Sequence, residues 1–423
     1  MKSDYKCIEY CRICGCKDLE EAISIPAQFL SPTFVETNID NPLANIKVPM
    51  TVMVCNNKDC SLVQLKESTN PELLYTNYFY RSSTNETMIN DLKKVVSRSQ
   101  EYVELKVDDI VVDIGANDCT MIQYFPESLK RIAVEPAKNI DWSHVKSSIQ
   151  IVNDFFPSSK FINSLNGDKV KVFTSCAMFY DLDKPNDFVK SIKENLHKDG
   201  VWCIQLSYAL SMTKNLNFYD ICHEHLEYYT LKTLRYLMKT NGLHLHHAEE
   251  NRVNGGSAIV FISHKDKSMK DSDELSRLLD EEESLGLYEA DAYKNFYSRM
   301  NDLKFKVNKY IDSEISKGNL ILGLGASTKG NVLLQYFGLD KKKIPFISEK
   351  QKSKVGLKTL GSDIDLISEE AAYLKNPSCM LVLPWYFKDE IVAREKDYIQ
   401  NGGTLLFPMP YSHLVTQNGE IEL

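Results

Sequence analysis

Two short apolar runs that end at a glycine constrain this chain more than any other feature. IVVDIG ends at Gly115 and LILGLG ends at Gly325. A run of this kind, followed by a polar and helix-compatible stretch, reads as a buried strand feeding a βα turn. RIAVEP, VKVFTS and VWCIQLS follow the first run, with helical stretches between them. CMLVLP (Cys379–Pro384) and GTLLF (Gly403–Phe407) follow the second. Strands alternating with helices are the signature of a parallel sheet. The expected fold is therefore α/β with two Rossmann-like units. The charged stretch DELSRLLDEEESLGLYEADAYKNFYSRMNDLKFKVNKYID between them reads as a pair of connector helices.

A third piece precedes them. Six of the eleven cysteines fall in the first sixty residues. Cys11-x2-Cys14 with Cys55-x4-Cys60 supplies four thiolates for one tetrahedral zinc, leaving no open position for catalysis. Cys7 and Cys16 are rival ligands, and scattered buried thiols are the alternative. The stretch between the cysteine clusters is weakly periodic and cannot build much core by itself. The expected organisation is a zinc-binding module over 1–70, a central domain over 71–270 and a C-terminal Rossmann-like domain over 271–423. Residues Glu72 to Val103 read as helical.

Composition narrows the function. The length of 423 residues suits two to four domains, and 43% hydrophobic residues exclude bulk disorder. No apolar run approaches the roughly 20 residues of a membrane span, and the N-terminus shows no secretory pattern. Fifty Lys+Arg against 58 Asp+Glu gives a net charge of −8. That balance speaks against nucleic-acid binding and leaves room for one anionic small molecule. Eleven cysteines are too few for a disulfide scaffold, so a cytoplasmic setting is expected.

Three motifs carry chemistry. In Asp113-Ile-Gly115-Ala-Asn117-Asp118 a single glycine lets backbone approach a ligand, and Glu135 lies where an acid bonds ribose hydroxyls. The G-x-G-x-x-G of dinucleotide sites is missing, which suits an adenosine ligand without a diphosphate, S-adenosylmethionine above all; an ordinary βα turn is the alternative. In Cys222-His223-Glu224-His225, an extended backbone would put both histidines on one face and Glu224 on the other. A catalytic base, a structural histidine and a metal site completed by Cys222 all remain open. In Gly323-x-Gly325-Ala-Ser327-Thr328-Lys329-Gly-Asn331, a helix start plus a lysine makes a phosphate seat, or else a tight turn with an exposed lysine. Walker A is not matched, so NTP hydrolysis is not expected. Among weaker features, His244, His246 and His247 alternate with leucines as the polar face of a strand. Tyr75, Tyr78 and Tyr80 either line a cleft or pack. Asn254-Gly-Gly-Ser257 reads as a hairpin entry.

The order of the four-cysteine module, Y-x-Y-R-S-S, DIGAND, VEPA, CHEHLEYY, NGGS and GLGASTKGN, with PWYFKDEIVAREKDY and GGTLLFPMP near the end, resembles the sugar C-methyltransferases that alkylate nucleotide-linked 4-keto deoxysugars. The resemblance runs from about Cys11 to Pro410. It implies structural zinc, S-adenosylmethionine in the central domain and a nucleotide sugar held with help from the C-terminal domain. It assigns the methyl donor to Gly115, Asn117, Asp118, Glu135, Pro136, Asp154 and Ser175. It assigns the substrate to Tyr78, Tyr80, Asn217, Ser327, Lys329 and Asn331. His225 becomes the base that forms an enolate, helped by His223, Glu224 and Cys222. Two departures stand out: Cys222 replaces the family's tyrosine before H-E-H, and Cys119 replaces a glycine, where a side chain would tighten the methionine pocket. Other readings are a sugar O- or N-methyltransferase, a non-methylating nucleotide-sugar epimerase or binding protein, and a metalloenzyme using H-E-H. A monomer or weak dimer is expected.

Overall fold

The computed structural model describes residues 4–31, 34–36, 45–76, 80–84, 86–267 and 269–423. The chain is α/β. Its central sheet has seven strands in the order Leu243–Asn251, Ser257–His264, Leu196–Ser207, Val170–Cys176, Ile110–Ile114, Lys130–Val134 and Ile149–Val152. The last five run parallel, and the hairpin at the other edge is antiparallel. Strand Ile110–Ile114 is buried throughout, and the one acid in its apolar run, Asp113, accepts from Thr174 Oγ1 at 2.9 Å. From this strand the chain steps outward to Ile149–Val152, then returns to its other side at Val170–Cys176. The switch in direction opens a crevice at the carboxyl ends of these two strands, where ligands of such sheets bind.

The C-terminal sheet repeats the construction. Its nine strands run Gly419–Glu422, His413–Thr416, Thr404–Phe407, Cys379–Val382, Ile321–Leu324, Phe346–Glu349, Asp365–Ser368, Leu357–Thr359 and Phe34–Glu36. The switch point here lies between Ile321–Leu324 and Cys379–Val382. The two connector helices are Asp273–Ser284 and Ala290–Ser316.

The N-terminal region holds more strand than its weak periodicity suggested. Leu19–Phe29, Lys47–Cys55 and Val63–Leu65 form an antiparallel sheet completed by Glu227–Tyr228, and Phe34–Glu36 extends the C-terminal sheet. Ile23, Ile25, Met50 and Val52 share one apolar core with Phe218, Ile221, Tyr293 and Val332. The segment thus gains a core by contact with the rest of the chain.

Two local expectations are corrected. The helix expected over Glu72–Val103 is broken into Pro71–Tyr75, a 3-10 turn at Ser82–Thr84 and Glu86–Ser99. His246 is not on a polar outer face: a register shift between Leu245 and His247 turns it inward, against the Tyr102 ring at 5.1 Å and Ser263 Oγ at 3.3 Å.

Candidate active site

The two switch points open onto one cavity of about 560 Å³. On the central-domain side, Gly115 has φ +73°, and a Cβ there would lie 3.0 Å from Met178 Cγ. Only glycine fits this turn. The Asn117 backbone N–H donates to Glu135 Oε2 at 2.7 Å, and the Ala137 N–H donates to Oε1 at 2.8 Å. Each carboxylate oxygen therefore has one fixed bond and keeps acceptor capacity toward the cavity. Burial raises the pKa of Glu135. Pro136 and Asp154 line the same wall. These residues fit the adenosine part of S-adenosylmethionine.

Asp118 and Ser175 do not line the cavity. The Asp118 carboxylate is engaged by Ser83 N–H at 3.0 Å and Thr120 Oγ1 at 2.6 Å, which fastens the loop beginning at Tyr80 to the glycine turn. Ser175 is buried and accepts from Trp202 Nε1 at 3.1 Å. Cys119 likewise faces an apolar cluster with Met88 and Met121 and does not narrow the cavity; its φ of +62° explains why glycine suits the position.

The H-E-H segment is a turn, closed by the His225 N–H on the Cys222 carbonyl at 3.2 Å. It is not extended, so the histidines part company. His223 is buried away from the cavity, with Nε2 3.0 Å from the Val48 carbonyl and Nδ1 3.4 Å from Ser31 Oγ. Burial holds its pKa down to about 4. Cys222, Glu224 and His225 line the cavity. The His225 ring lies 4.1 Å from that of Tyr180 and hydrogen-bonds the Asp220 carbonyl. Burial, then the charge of Lys329, lowers its pKa to about 3. A neutral imidazole that donates through one nitrogen presents the other as an acceptor. Glu224 Oε2 accepts from Ser31 Oγ at 2.9 Å, and burial raises its pKa. Burial also pushes the Cys222 thiol up, so it is no thiolate nucleophile.

From the C-terminal unit, Ser327 caps helix Thr328–Phe337 by accepting from the Gly330 N–H at 3.0 Å, and Ser327, Thr328 and Lys329 face the cavity. Lys329 is not an exposed free cation. Its Nζ lies 2.7 Å from Asp220 Oδ1, donates to the Asn254 carbonyl at 3.1 Å and sits 4.6 Å above the Tyr219 ring. Tyr80 lines the cavity; Tyr78 lies outside the described residues. Asn331 and Asn217 do not line it. Asn331 Nδ2 donates to the Ser31 carbonyl at 2.9 Å, and Asn217 Nδ2 donates to the Gly255 carbonyl at 2.8 Å. Both are buried struts that hold neighbouring loops.

Sequence reading did not single out Asp181, which sits in no motif, Asp220, two residues before Cys222, or Tyr386, inside PWYFKDEIVAREKDY. Asp181 lines the cavity with Oδ1 buried and unpartnered. Burial, then the nearby Glu224, pushes its carboxyl well above the usual range.

The cysteine set is separate from this cavity. The sulfurs of Cys11, Cys14, Cys55 and Cys60 lie within 4.8 Å of one another, with Cys11–Cys60 at 3.7 Å and Cys14–Cys55 at 3.5 Å. Tetrahedral thiolates about 2.3 Å from zinc stand at such separations. Cys7 is exposed, and Cys16 Sγ turns to the Asp18 carbonyl, so neither competes. Among the described residues, no other group of three or more His, Cys, Asp or Glu converges as metal ligands, which leaves H-E-H without a metal site.

Fold and site together define a two-unit α/β enzyme of the methyltransferase class, with a zinc module at its N-terminus. Residues 252–410 match the family described as C-methyltransferase C-terminal domain, and 11–75 match the family described as Putative zinc binding domain. The chain is 26% identical over 412 residues to C-methyltransferase NovU of Streptomyces niveus, covering 97% of each chain. Each of these matches is a similarity to C-methyltransferases or to their zinc-binding region. Similar solved structures include an S-adenosylmethionine-dependent methyltransferase from Clostridium acetobutylicum, 11% identical over 42% of this chain and 92% of that one, with a TM-score of 0.34. The plantazolicin methyltransferase BpumL, solved with SAH, is 11% identical over 42% of this chain and 86% of that one, also with a TM-score of 0.34.

Proposed function

We propose that this chain transfers a methyl group from S-adenosylmethionine to a carbon of a nucleotide-linked 4-keto deoxysugar. The observation that carries this reading is the shared cavity. It brings Gly115 and Glu135 of one unit, His225 of the H-E-H turn, and Ser327 to Lys329 of the other unit to the same space.

S-adenosylmethionine, when bound, supplies an electrophilic methyl on its sulfonium; Gly115, Asn117, Glu135, Pro136 and Asp154 would hold it. The acceptor carbon must first become a nucleophile. A proton on the carbon beside the ketone is acidic enough to be moved by a positioned base, a contribution typically of about 10²–10⁴ in rate. The acceptor nitrogen of neutral His225 takes that proton. Negative charge then grows on the ketone oxygen. His223 does not face this charge, so the role once open to it passes to Asp181. A carboxyl kept protonated by burial donates a hydrogen bond to a developing oxyanion. The imidazolium formed at His225 gains from the same charge. The helix start at Ser327 and the paired Lys329 meet the anionic diphosphate.

A cytoplasmic setting accords with eleven cysteines that form no disulfide. No helix among the described residues is long and apolar enough to cross a membrane.

The test is incubation with S-adenosylmethionine and a panel of nucleotide-linked 4-keto deoxysugars in deuterated water, read by mass spectrometry. A new methyl on carbon is expected. With S-adenosylhomocysteine in place of the donor, deuterium should enter the sugar beside the ketone. A methyl found on oxygen or nitrogen, with no deuterium uptake, would overturn the reading.

A further inference from the structure

Four residues stand in a row across the carboxyl ends of the central sheet. The strand pairings Ile114–Val134, Ile114–Ser175 and Cys176–Gln205 put Glu135, Gly115, Cys176 and Gln205 on neighbouring strands at one level. All four line the cavity. Met88 and Leu92 of helix Glu86–Ser99 line it as well, and the same helix carries Asp91 between them.

Gln205 is 4% exposed, and its amide is oriented from behind. Its Nε2 donates to Asp91 Oδ2 at 2.5 Å, and Asn251 Nδ2 donates to Asp91 Oδ1 at 3.2 Å. An ionised carboxylate only accepts, so the nitrogen of the Gln205 amide turns to Asp91 and its oxygen turns the other way. Among the described residues, no donor reaches Gln205 Oε1. Asp91 is buried and does not itself line the cavity. Burial raises the pKa of Asp91, and the Gln205 hydrogen bond and the charge of Lys94 work against that rise. The result is a buried carboxylate, an amide held by it, and a carbonyl oxygen left open at the cavity wall. Hydrogen bonds in series polarise one another, so a carboxylate behind the amide draws positive charge toward that oxygen. An ionised donor makes the stronger bond to such an acceptor.

S-adenosylmethionine carries hydrogen-bond donors on its adenine, its ribose and its α-ammonium, with the ribose in the middle. The ribose hydroxyls belong to Glu135. Asp154 follows the next strand outward, Ile149–Val152, so the adenine side of the donor lies beyond Glu135. The methionine side then runs the opposite way along the row, past Gly115 and Cys176 toward Gln205.

We infer that Gln205 holds the α-ammonium of the methyl donor and that Asp91 is the positioning residue that keeps its carbonyl oxygen facing the cavity. The inference rests on S-adenosylmethionine as the donor. It adds a contact at the end of that molecule opposite to the one Glu135 holds.

The experiment is calorimetry on the full-length zinc-loaded protein with S-adenosylhomocysteine, its desamino analogue and 5′-methylthioadenosine, which lacks the amino acid altogether. Wild type should bind S-adenosylhomocysteine roughly tenfold or more tightly than the desamino analogue, as expected for one hydrogen bond to a charged group. Gln205→Met keeps the bulk and removes the carbonyl. It should lose that discrimination and bind 5′-methylthioadenosine as wild type does. Asp91→Asn frees the Gln205 amide to turn over and should reduce the discrimination in the same direction. Equal affinity of wild type for S-adenosylhomocysteine and its desamino analogue overturns the inference without any variant. So does a Gln205→Met protein that binds 5′-methylthioadenosine normally and still discriminates. If Gln205→Met does not fold, Asp91→Asn decides, and discrimination equal to that of wild type overturns the inference. If wild type binds none of the three compounds, the donor is not S-adenosylmethionine, and both readings fall together. That outcome is distinct from the others.

Discussion

Lys329 Nζ lies 2.7 Å from Asp220 Oδ1, and the pair joins the two α/β units at the wall of their common cavity. Lys329 opens the helix of the C-terminal unit, and Asp220 lies five residues ahead of His225 in the central one. Asp220 is buried, and its carbonyl holds the His225 ring. Breaking a buried pair by removing one partner leaves a charge stranded, at about 3–5 kcal/mol. Lys329→Met is therefore expected to destabilise the protein by that order. The double variant Lys329→Met/Asp220→Asn should recover at least half of the loss. Urea denaturation of the two variants and wild type checks this. A double variant no more stable than the single one would show that the pair is not the interaction at stake.

His225→Asn removes the acceptor nitrogen while keeping a side chain that can reach the Asp220 carbonyl. Turnover is expected to fall by about 10²–10⁴. Affinity for S-adenosylmethionine should change little, because the proposed donor wall consists of Gly115, Glu135 and their neighbours. Single-turnover methylation and calorimetry with the donor check the two halves. Deuterium exchange at the acceptor carbon should fall with turnover; unchanged exchange would move the base elsewhere in the cavity.

Asp181 permits a sharper distinction. As a protonated donor to the ketone oxygen it is partly replaceable by an amide. Asp181→Asn should keep activity within about tenfold, while Asp181→Ala should lose about 10²–10³, as for other lost oxyanion donors. Steady-state kinetics on both variants decides. If Asp181→Asn is as inactive as the alanine variant, the carboxyl acts as a proton carrier.

The sequence made the scaffold legible where period and punctuation agree. IVVDIG, RIAVEP and LILGLG form strands because each is an apolar run closed by a turn residue, and their partners are local βα neighbours. The four zinc cysteines were legible from spacing alone. What escaped was set by distant pairing. Strand Glu227–Tyr228 joins Val63–Leu65 of the N-terminal region, and that pairing anchors the H-E-H turn. The turn sends His223 to Val48 and His225 to the cavity, against the alternation an extended strand would give. Asn331 and Asn217 looked like ligand contacts in their motifs. Their partners, the carbonyls of Ser31 and Gly255, lie far along the chain. Asp181 has no motif at all; only its burial against Glu224 marks it.

Zinc removal should act on the fold before it acts on chemistry. The cysteine set lies outside the cavity, and Cys11, Cys55 and Cys60 belong to an apolar cluster with Ile110, Phe188 and Leu234 of the central domain. A structural zinc contributes on the order of 10 kcal/mol of folding free energy in small modules. Cys55→Ser or prolonged chelation is expected to raise protease sensitivity at residues 1–70 and to lower the thermal midpoint. Activity should be lost in step with unfolding. An undiminished midpoint with activity lost at once would instead put the metal in the reaction.

The pH dependence of His223 isolates the cost of burying a neutral imidazole. Its folded pKa is about 4 against an ordinary value near 6.5, and burial is the cause. Between these values the unfolded chain binds a proton that the folded protein does not. Stability from this residue is therefore fully present above about pH 6.5 and is lost as pH falls toward 4. Other buried groups titrate with either sign, Asp113 being pushed up to about 8, so the wild-type profile alone does not isolate His223. The difference between wild type and His223→Gln does. Glutamine can still donate to the Val48 carbonyl and carries no titrating proton. Wild type should lose up to roughly 3 kcal/mol relative to the variant between pH 7 and pH 4, following the shift of about two and a half pH units. Parallel chemical denaturation across that range measures it. Parallel profiles would mean that His223 is protonated in the folded protein and gains a partner beyond the Val48 carbonyl.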